Sequence, residues 1–194
     1  AYARVAERAA ADLFERSSLH DALTDLPNRL LLQQRLTHAS QRAQRSHANA
    51  AILFVDLDNF KRVNDNHGHQ VGDQLLVEVA ARLSQLVRPG DTLARFASDE
   101  FVFLCEDLRS DLDVEALAKR VDQAFLEPFA IAGLELTISA SVGVAYAGPG
   151  QLISSHLLAE ADGAMYQAKR KGGAGHHIID LRTVLKTADH TSLE

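Results

Sequence analysis

Cysteine is nearly absent from this chain of 194 residues, with Cys105 the only one. A single thiol excludes a disulfide framework and a Cys-rich zinc site, and it fits a reducing compartment such as the cytoplasm. Long apolar runs are missing too. None approaches the ~20 residues needed to cross a bilayer, and no leader-like segment is visible. Excess positive charge is also lacking. Twenty Lys and Arg stand against twenty-six Asp and Glu, a net charge of −6, which argues against a nucleic-acid partner. A small anionic ligand is still allowed, because local geometry can override net charge. The nine histidines are scattered and show no HxxxH or HExxH spacing. No internal repeat and no low-complexity tract interrupts the chain.

What is present is ordinary globular material. Hydrophobic residues at 46% and charged residues at 24% exclude disorder and fibrous assemblies for the bulk of the chain. The length suits one domain of ~100–200 residues with appendages, long enough to bury a core without staples.

Residues 1–19 are Ala-rich and free of Gly and Pro. They read as a linker helix, either packed on the domain or serving as a stalk from an upstream sensor. DALTDLPNR (21–29) has turn chemistry, and Pro27 suits the first turn of a helix reaching about Ser46. Ala51 to Val55 is a wholly apolar run that predicts a buried strand. An amphipathic helix follows over about 70–86. Leu93–Phe96 and Phe101–Cys105 predict two strands around Ala97-Ser98-Asp99-Glu100, a hairpin signal. Further helix is expected over 113–126, a β-rich stretch over Leu136–Tyr146, and a last helix over 154–171 closed by Gly172-Gly173. Ile178-Ile179 reads as an edge strand. This order predicts a single α/β (α+β) domain, a mixed central sheet covered by helices, over residues 20–180.

Candidate chemistry begins at Asp56-Leu57-Asp58. An apolar strand delivers Asp56 to its carboxyl end, where ligands of open α/β sheets bind. A carboxylate there suits Mg²⁺, which takes oxygen ligands and shares them with substrate phosphates. Strand-end acids also cap loops, so the pair alone decides little. Lys61 can meet a phosphate as a point charge. Asn64 and Asp73 together can read a guanine edge, Asp accepting from the ring N–H groups and Asn donating to O6 or N7. Asp99 and Glu100 sit at the predicted hairpin turn. If that hairpin pairs beside the 51–55 strand, Asp56 and Asp99 meet, and a divalent cation relieves their repulsion.

These stretches together resemble the GGDEF domain, the diguanylate cyclase family. The resemblance is carried by DALTDLPNR (21–29), FVDLDNFKRVNDNHGHQVGDQLL (54–76), RPGDTLARFASDEFVFL (88–104), ISASVGVA (138–145) and AEADGAMYQAK (159–169). It implies a sheet surrounded by helices, like nucleotidyl cyclases and the polymerase palm. It implies Mg²⁺ (or Mn²⁺) held by Asp56, Asp99 and the Leu57 carbonyl, with Glu100 beside them. It implies phosphate contacts from Lys61 and Lys169, guanine recognition by Asn64 and Asp73, and an inhibitory cyclic di-GMP site at Arg88 and Asp91. Turnover in that family joins two GTP molecules across a homodimer.

Two departures from the family pattern stand out. The signature Gly-Gly is replaced by Ala97-Ser98. Glycine supplies φ > 0 and close backbone approach, so the exchange predicts strain on the order of 1 kcal/mol and crowding of the nucleotide. The usual Gly-Arg-Asn after the last helix is here Gly172-Gly173-Ala174, which removes a phosphate-binding arginine. Loss near the phosphates with retention of the metal and guanine positions predicts GTP binding with weak or no cyclase activity. An active cyclase and a non-binding dimerisation relay are the alternatives. The tail from Asp180 resembles a linker to an EAL phosphodiesterase domain, so 181–194 is expected to be linker.

Overall fold

The computed structural model describes residues 18–148, 151 and 153–180. The expected stalk over 1–19 and the expected linker over 181–194 lie essentially outside the described residues.

The chain runs α1 (Arg29–Ser46), β1 (Asn49–Leu57), α2 (Phe60–His67), α3 (His69–Ser84), β2 (Thr92–Arg95), β3 (Glu100–Leu108) and α4 (Asp111–Ala124). It continues with β4 (Phe129–Ile131), β5 (Leu134–Leu136), β6 (Ala140–Ala147), α5 (Ser155–Arg170) and β7 (Gly175–Asp180). The main sheet has the order β2-β3-β1-β6-β7. Its ladders are antiparallel except β6–β7, which is parallel. The expected mixed sheet is therefore present.

The central strand shows why the sheet needs helices on both faces. β1 is apolar almost throughout, as strands buried on both faces are. Ala51, Leu53, Val55 and Leu57 point into a cluster with α3 and α4. Ala50, Ile52 and Phe54 point the other way, against α1 and α5. The two-residue period of a strand then sends Asp56 to the α5 face. Gly143 of β6 lets α5 approach: an added Cβ would stand 2.0 Å from the Ala161 carbonyl oxygen and 2.1 Å from the Met165 nitrogen.

Three local features differ from the sequence reading. Helix α1 starts after Asn28 rather than at Pro27, because the Asn28 side chain caps it by accepting from the Leu30 and Leu31 amides at 3.0 and 3.1 Å. The expected single strand over Leu136–Tyr146 is broken at Thr137–Ser139, and its first residue belongs to a separate β4–β5 hairpin. That hairpin turns on Ala132 and Gly133, both at positive φ (49° and 78°), the geometry of a tight primed turn. The segment after Asp58 forms a short helix, α2, set off by Asn59 at φ 59° and separated from α3 by Gly68 at φ 84°. Among the described residues no helix is long and apolar enough to cross a membrane.

Candidate active site

Asp56 ends the apolar run of β1 and is 7% exposed. It stands opposite Glu100 of β3 and Ser141 of β6. The Leu57 amide donates to the Asp99 carbonyl at 3.1 Å, which places the β2–β3 turn at the end of β1. Lys169, from the last turn of α5, brings its Nζ to 2.6 Å from Asp56 Oδ1. Asp56, Leu57, Asp99, Glu100 and Lys169 thus share one end of the sheet.

The charges of this cluster strain one another. Burial is the largest influence on Asp56 and raises its pKa; Lys169 opposes it, while Asp99 and Asp58 add to it, and the net shift is upward. Glu100 is also raised, first by burial and then by the charges of Asp56, Asp162 and Asp99, against Lys169. Lys169 occupies the cationic position at Asp56. Among the described residues no three His, Cys, Asp or Glu side chains form a metal cage by themselves. Two carboxylates and a carbonyl nevertheless fit Mg²⁺, which takes one or two protein carboxylates and completes its shell with phosphates and water.

The β2–β3 connection is a four-residue loop, Phe96–Asp99. Neither Ala97 nor Ser98 has a positive φ. The strain expected from loss of the signature glycines is therefore absent: four residues can turn around right-handed conformations, whereas a two-residue loop cannot. The loop closes through Phe96 N to Glu100 O at 2.8 Å. The Ser98 hydroxyl instead does something glycine could not. It donates to Asp99 Oδ1 at 2.7 Å.

The guanine candidates sit on the α2–α3 helical pair. Asn64 Oδ1 is buried with no hydrogen-bond partner among the described residues. It lies where a Cβ on Gly72 would be, 1.9 Å away, so glycine is what allows the approach. Asp73, the next residue, is exposed, as is Lys61 on the first turn of α2. The remaining pair lies apart from this cluster. Arg88 Nε donates to Asp91 Oδ2 at 2.8 Å, its Nη2 reaches the Glu106 carbonyl at 2.8 Å, and Asp91 Oδ1 accepts the Glu106 amide at 3.1 Å. Asp91 borders a cleft of about 590 Å³ that also collects Arg35, Arg42 and Arg45 from α1.

The partners of two acids escaped the sequence reading. Asp21 accepts from Thr24 N, Thr24 Oγ1 and Arg95 Nη1 at 2.9, 2.7 and 2.9 Å. Arg95 in turn donates from Nε and Nη2 to the Ser98 carbonyl at 3.2 and 2.6 Å, so the N-terminal turn holds the β2–β3 loop. Asp58 is the other. Its Oδ1 accepts from Ser141 Oγ and its Oδ2 from Ser139 Oγ, both at 2.7 Å, and Oδ2 also accepts from Ala174 N at 3.0 Å. These ties join residues up to 116 positions apart, and no local pattern signals them.

A mostly antiparallel sheet flanked by helices, with acids gathered where β1 meets the β2–β3 loop, defines an α+β domain of the GGDEF class. The family model described as "Diguanylate cyclase, GGDEF domain" matches residues 18–174, and the chain belongs to that family. It is 48% identical over 160 residues to the bifunctional diguanylate cyclase/cyclic di-GMP phosphodiesterase MucR of Pseudomonas aeruginosa, covering 82% of this chain and 23% of MucR. The chain thus spans about a quarter of that relative. The GGDEF domain of YfiN (TpbB) from P. aeruginosa superposes with a TM-score of 0.79 at 34% identity, covering 86% of this chain and 99% of that one. The GGDEF domain of DgcB from Caulobacter crescentus, solved with c-di-GMP, gives a TM-score of 0.70 at 27% identity over 84% and 93% of the two chains. The chain is therefore a GGDEF domain of cyclic di-GMP signalling. The family generally depends on divalent metal, binds GTP and cyclic di-GMP, and often works as a dimer.

Proposed function

We propose that this domain binds GTP with Mg²⁺ at the Asp56 cluster, turns it over weakly or not at all, and signals its occupancy to an attached domain. Asp56, Asp99 and the Leu57 carbonyl hold the metal. Asn64 and Asp73 read guanine, and Lys61 and Lys169 take phosphate. When bound, the metal neutralises charge on the phosphates. The observation that carries weak turnover is the Ser98 hydroxyl, which donates to Asp99 Oδ1 at 2.7 Å and engages a lone pair the metal would use. Gly173 also removes the arginine that family members place against phosphate. Phosphate groups then stay bound but poorly placed, and a misplacement near 1 Å costs roughly 100-fold in rate.

Arg88 and Asp91 form a second, product-binding site for cyclic di-GMP. Arg35 and Arg45 in the cleft beside Asp91 support it, since guanidinium groups match phosphate geometry, while Arg42 there is paired with Glu106. The bifunctional MucR, a cyclase and cyclic di-GMP phosphodiesterase in one chain, supports a phosphodiesterase such as an EAL domain as the attached domain. A second reading, an active homodimeric cyclase, is favoured by the relaxed backbone at Ala97 and Ser98.

Calorimetry with GTP and Mg²⁺ tests binding. Heat of association is expected from the wild-type chain and none from Asp56→Ala. Silence from the wild type at millimolar GTP would leave only the relay role, and unchanged affinity in Asp56→Ala would remove the metal assignment.

A further inference from the structure

Asp58 lies two residues past Asp56, yet its carboxylate is turned to a different task. Both oxygens are taken. Ser141 Oγ serves Oδ1, and Ser139 Oγ and Ala174 N serve Oδ2. The Asp58 amide also donates to the Ser139 carbonyl at 2.8 Å. An ionised carboxylate with three donors is firmly held, because charge-assisted hydrogen bonds are roughly twice as strong as neutral ones.

The third donor belongs to the turn between α5 and β7. Gly172, Gly173 and Ala174 all have positive φ, at 120°, 70° and 53°. This run reverses the chain directly after Lys169, whose carbonyl accepts the Gly172 amide at 3.1 Å. Ala174 carries a Cβ into the left-handed region, where non-glycine residues are strained, and its N–H bond to Asp58 offsets that strain. At Gly173 a Cβ would stand 3.1 Å from Asp58 Oδ2. Glycine there lets the turn close over the carboxylate. Backbone hydrogen bonds from Gly172 to Lys169 and from Gly173 to Ala168 tie the turn to the last helical turn, which carries Lys169.

We propose that Asp58 is a positioning residue: by clamping the Ala174 amide it fixes the α5–β7 turn and so sets the Lys169 ammonium on Asp56. Ser139, just before β6, and Ser141, within it, orient the clamp. Its nucleotide consequence rests on the reading above, since Lys169 is positioned for the Asp56 site; its effect on Lys169 in the ligand-free protein does not.

Two measurements test it. In the ligand-free chain, acylation of individual lysines is followed by mass spectrometry. Asp58→Asn is expected to raise the labelling rate of Lys169 at least about threefold while Lys61 and Lys119 are unchanged. Ser139→Ala, which keeps the carboxylate and removes one hydroxyl, gives a smaller rise and serves if Asp58→Asn does not fold. An unaltered Lys169 rate in the folded variants overturns the proposal. For the bound state, a double-mutant cycle isolates the coupling. Asp58→Asn should weaken Mg²⁺–GTP binding about tenfold in the wild-type background and less than twofold in Lys169→Ala. Equal losses in both backgrounds mean a scaffold role only and overturn it. Absence of GTP binding by the wild type sinks the proposed function instead, and the labelling rates still decide the role of Asp58.

Discussion

Lys169 and Ser98 are the two side chains that decide how the acidic cluster behaves. Each engages a carboxylate of the proposed metal site, Lys169 on Asp56 and Ser98 on Asp99. Asp21 shifts the opposite way to Asp56. Burial pushes its carboxyl up, but Arg95 and the Thr24 hydroxyl and amide pull it further down, so it sits below the ordinary aspartate value. A depressed folded-state pKa contributes stability above the unfolded pKa and loses it as pH falls through the folded one. Asp21→Asn is therefore expected to lower the melting temperature at pH 7 by about 2–4 °C, the effect of roughly 1 kcal/mol in a domain this size. The difference from wild type should shrink as pH falls from the ordinary aspartate value to below it. A gap that stays constant from neutral to acid pH would show that the Asp21 charge contributes nothing.

At the scale of elements, the contact between β6 and α5 places the Lys169 helix against the Asp56 strand. It depends on Gly143, where backbone of α5 occupies the space a side chain would need. Gly143→Ala is expected to destabilise the domain by about 2–3 kcal/mol through overpacking against backbone that cannot step aside. Thermal melting should show a fall of roughly 4–12 °C; a shift under about 2 °C would contradict the close packing. Strongly patterned elements were legible beforehand. The apolar run at Ala51–Val55, the stripe of Leu75, Leu76, Val79, Leu83 and Leu86, and the paired runs flanking Ala97–Glu100 all became the expected elements, except that α3 ends at Ser84, before Leu86. Helix α2 was not legible because its eight residues bury only Phe60 and leave no stripe to read. The β4–β5 hairpin hid behind an alanine in a left-handed turn. Asp56 could be placed at a strand end from hydropathy alone. Asp58 could not be assigned its partners, because Ser139, Ser141 and Ala174 reach it only through the folded sheet.

Considered whole, the molecule separates two regions rich in charge. The acidic cluster lies at the end of β1, and the arginines of α1 line a cleft beside Asp91. Net charge of −6 conceals this division. The proposed metal–nucleotide site and the proposed anion-binding site fall in these two separate regions. The central claim is that the first site holds its nucleotide without efficient conversion. It is tested most directly by incubating the chain with GTP and Mg²⁺ and separating the nucleotides by chromatography. Intact GTP with at most a trace of cyclic di-GMP is the predicted result. Accumulation of cyclic di-GMP to a large fraction of the GTP supplied would contradict it and establish the chain as a working cyclase.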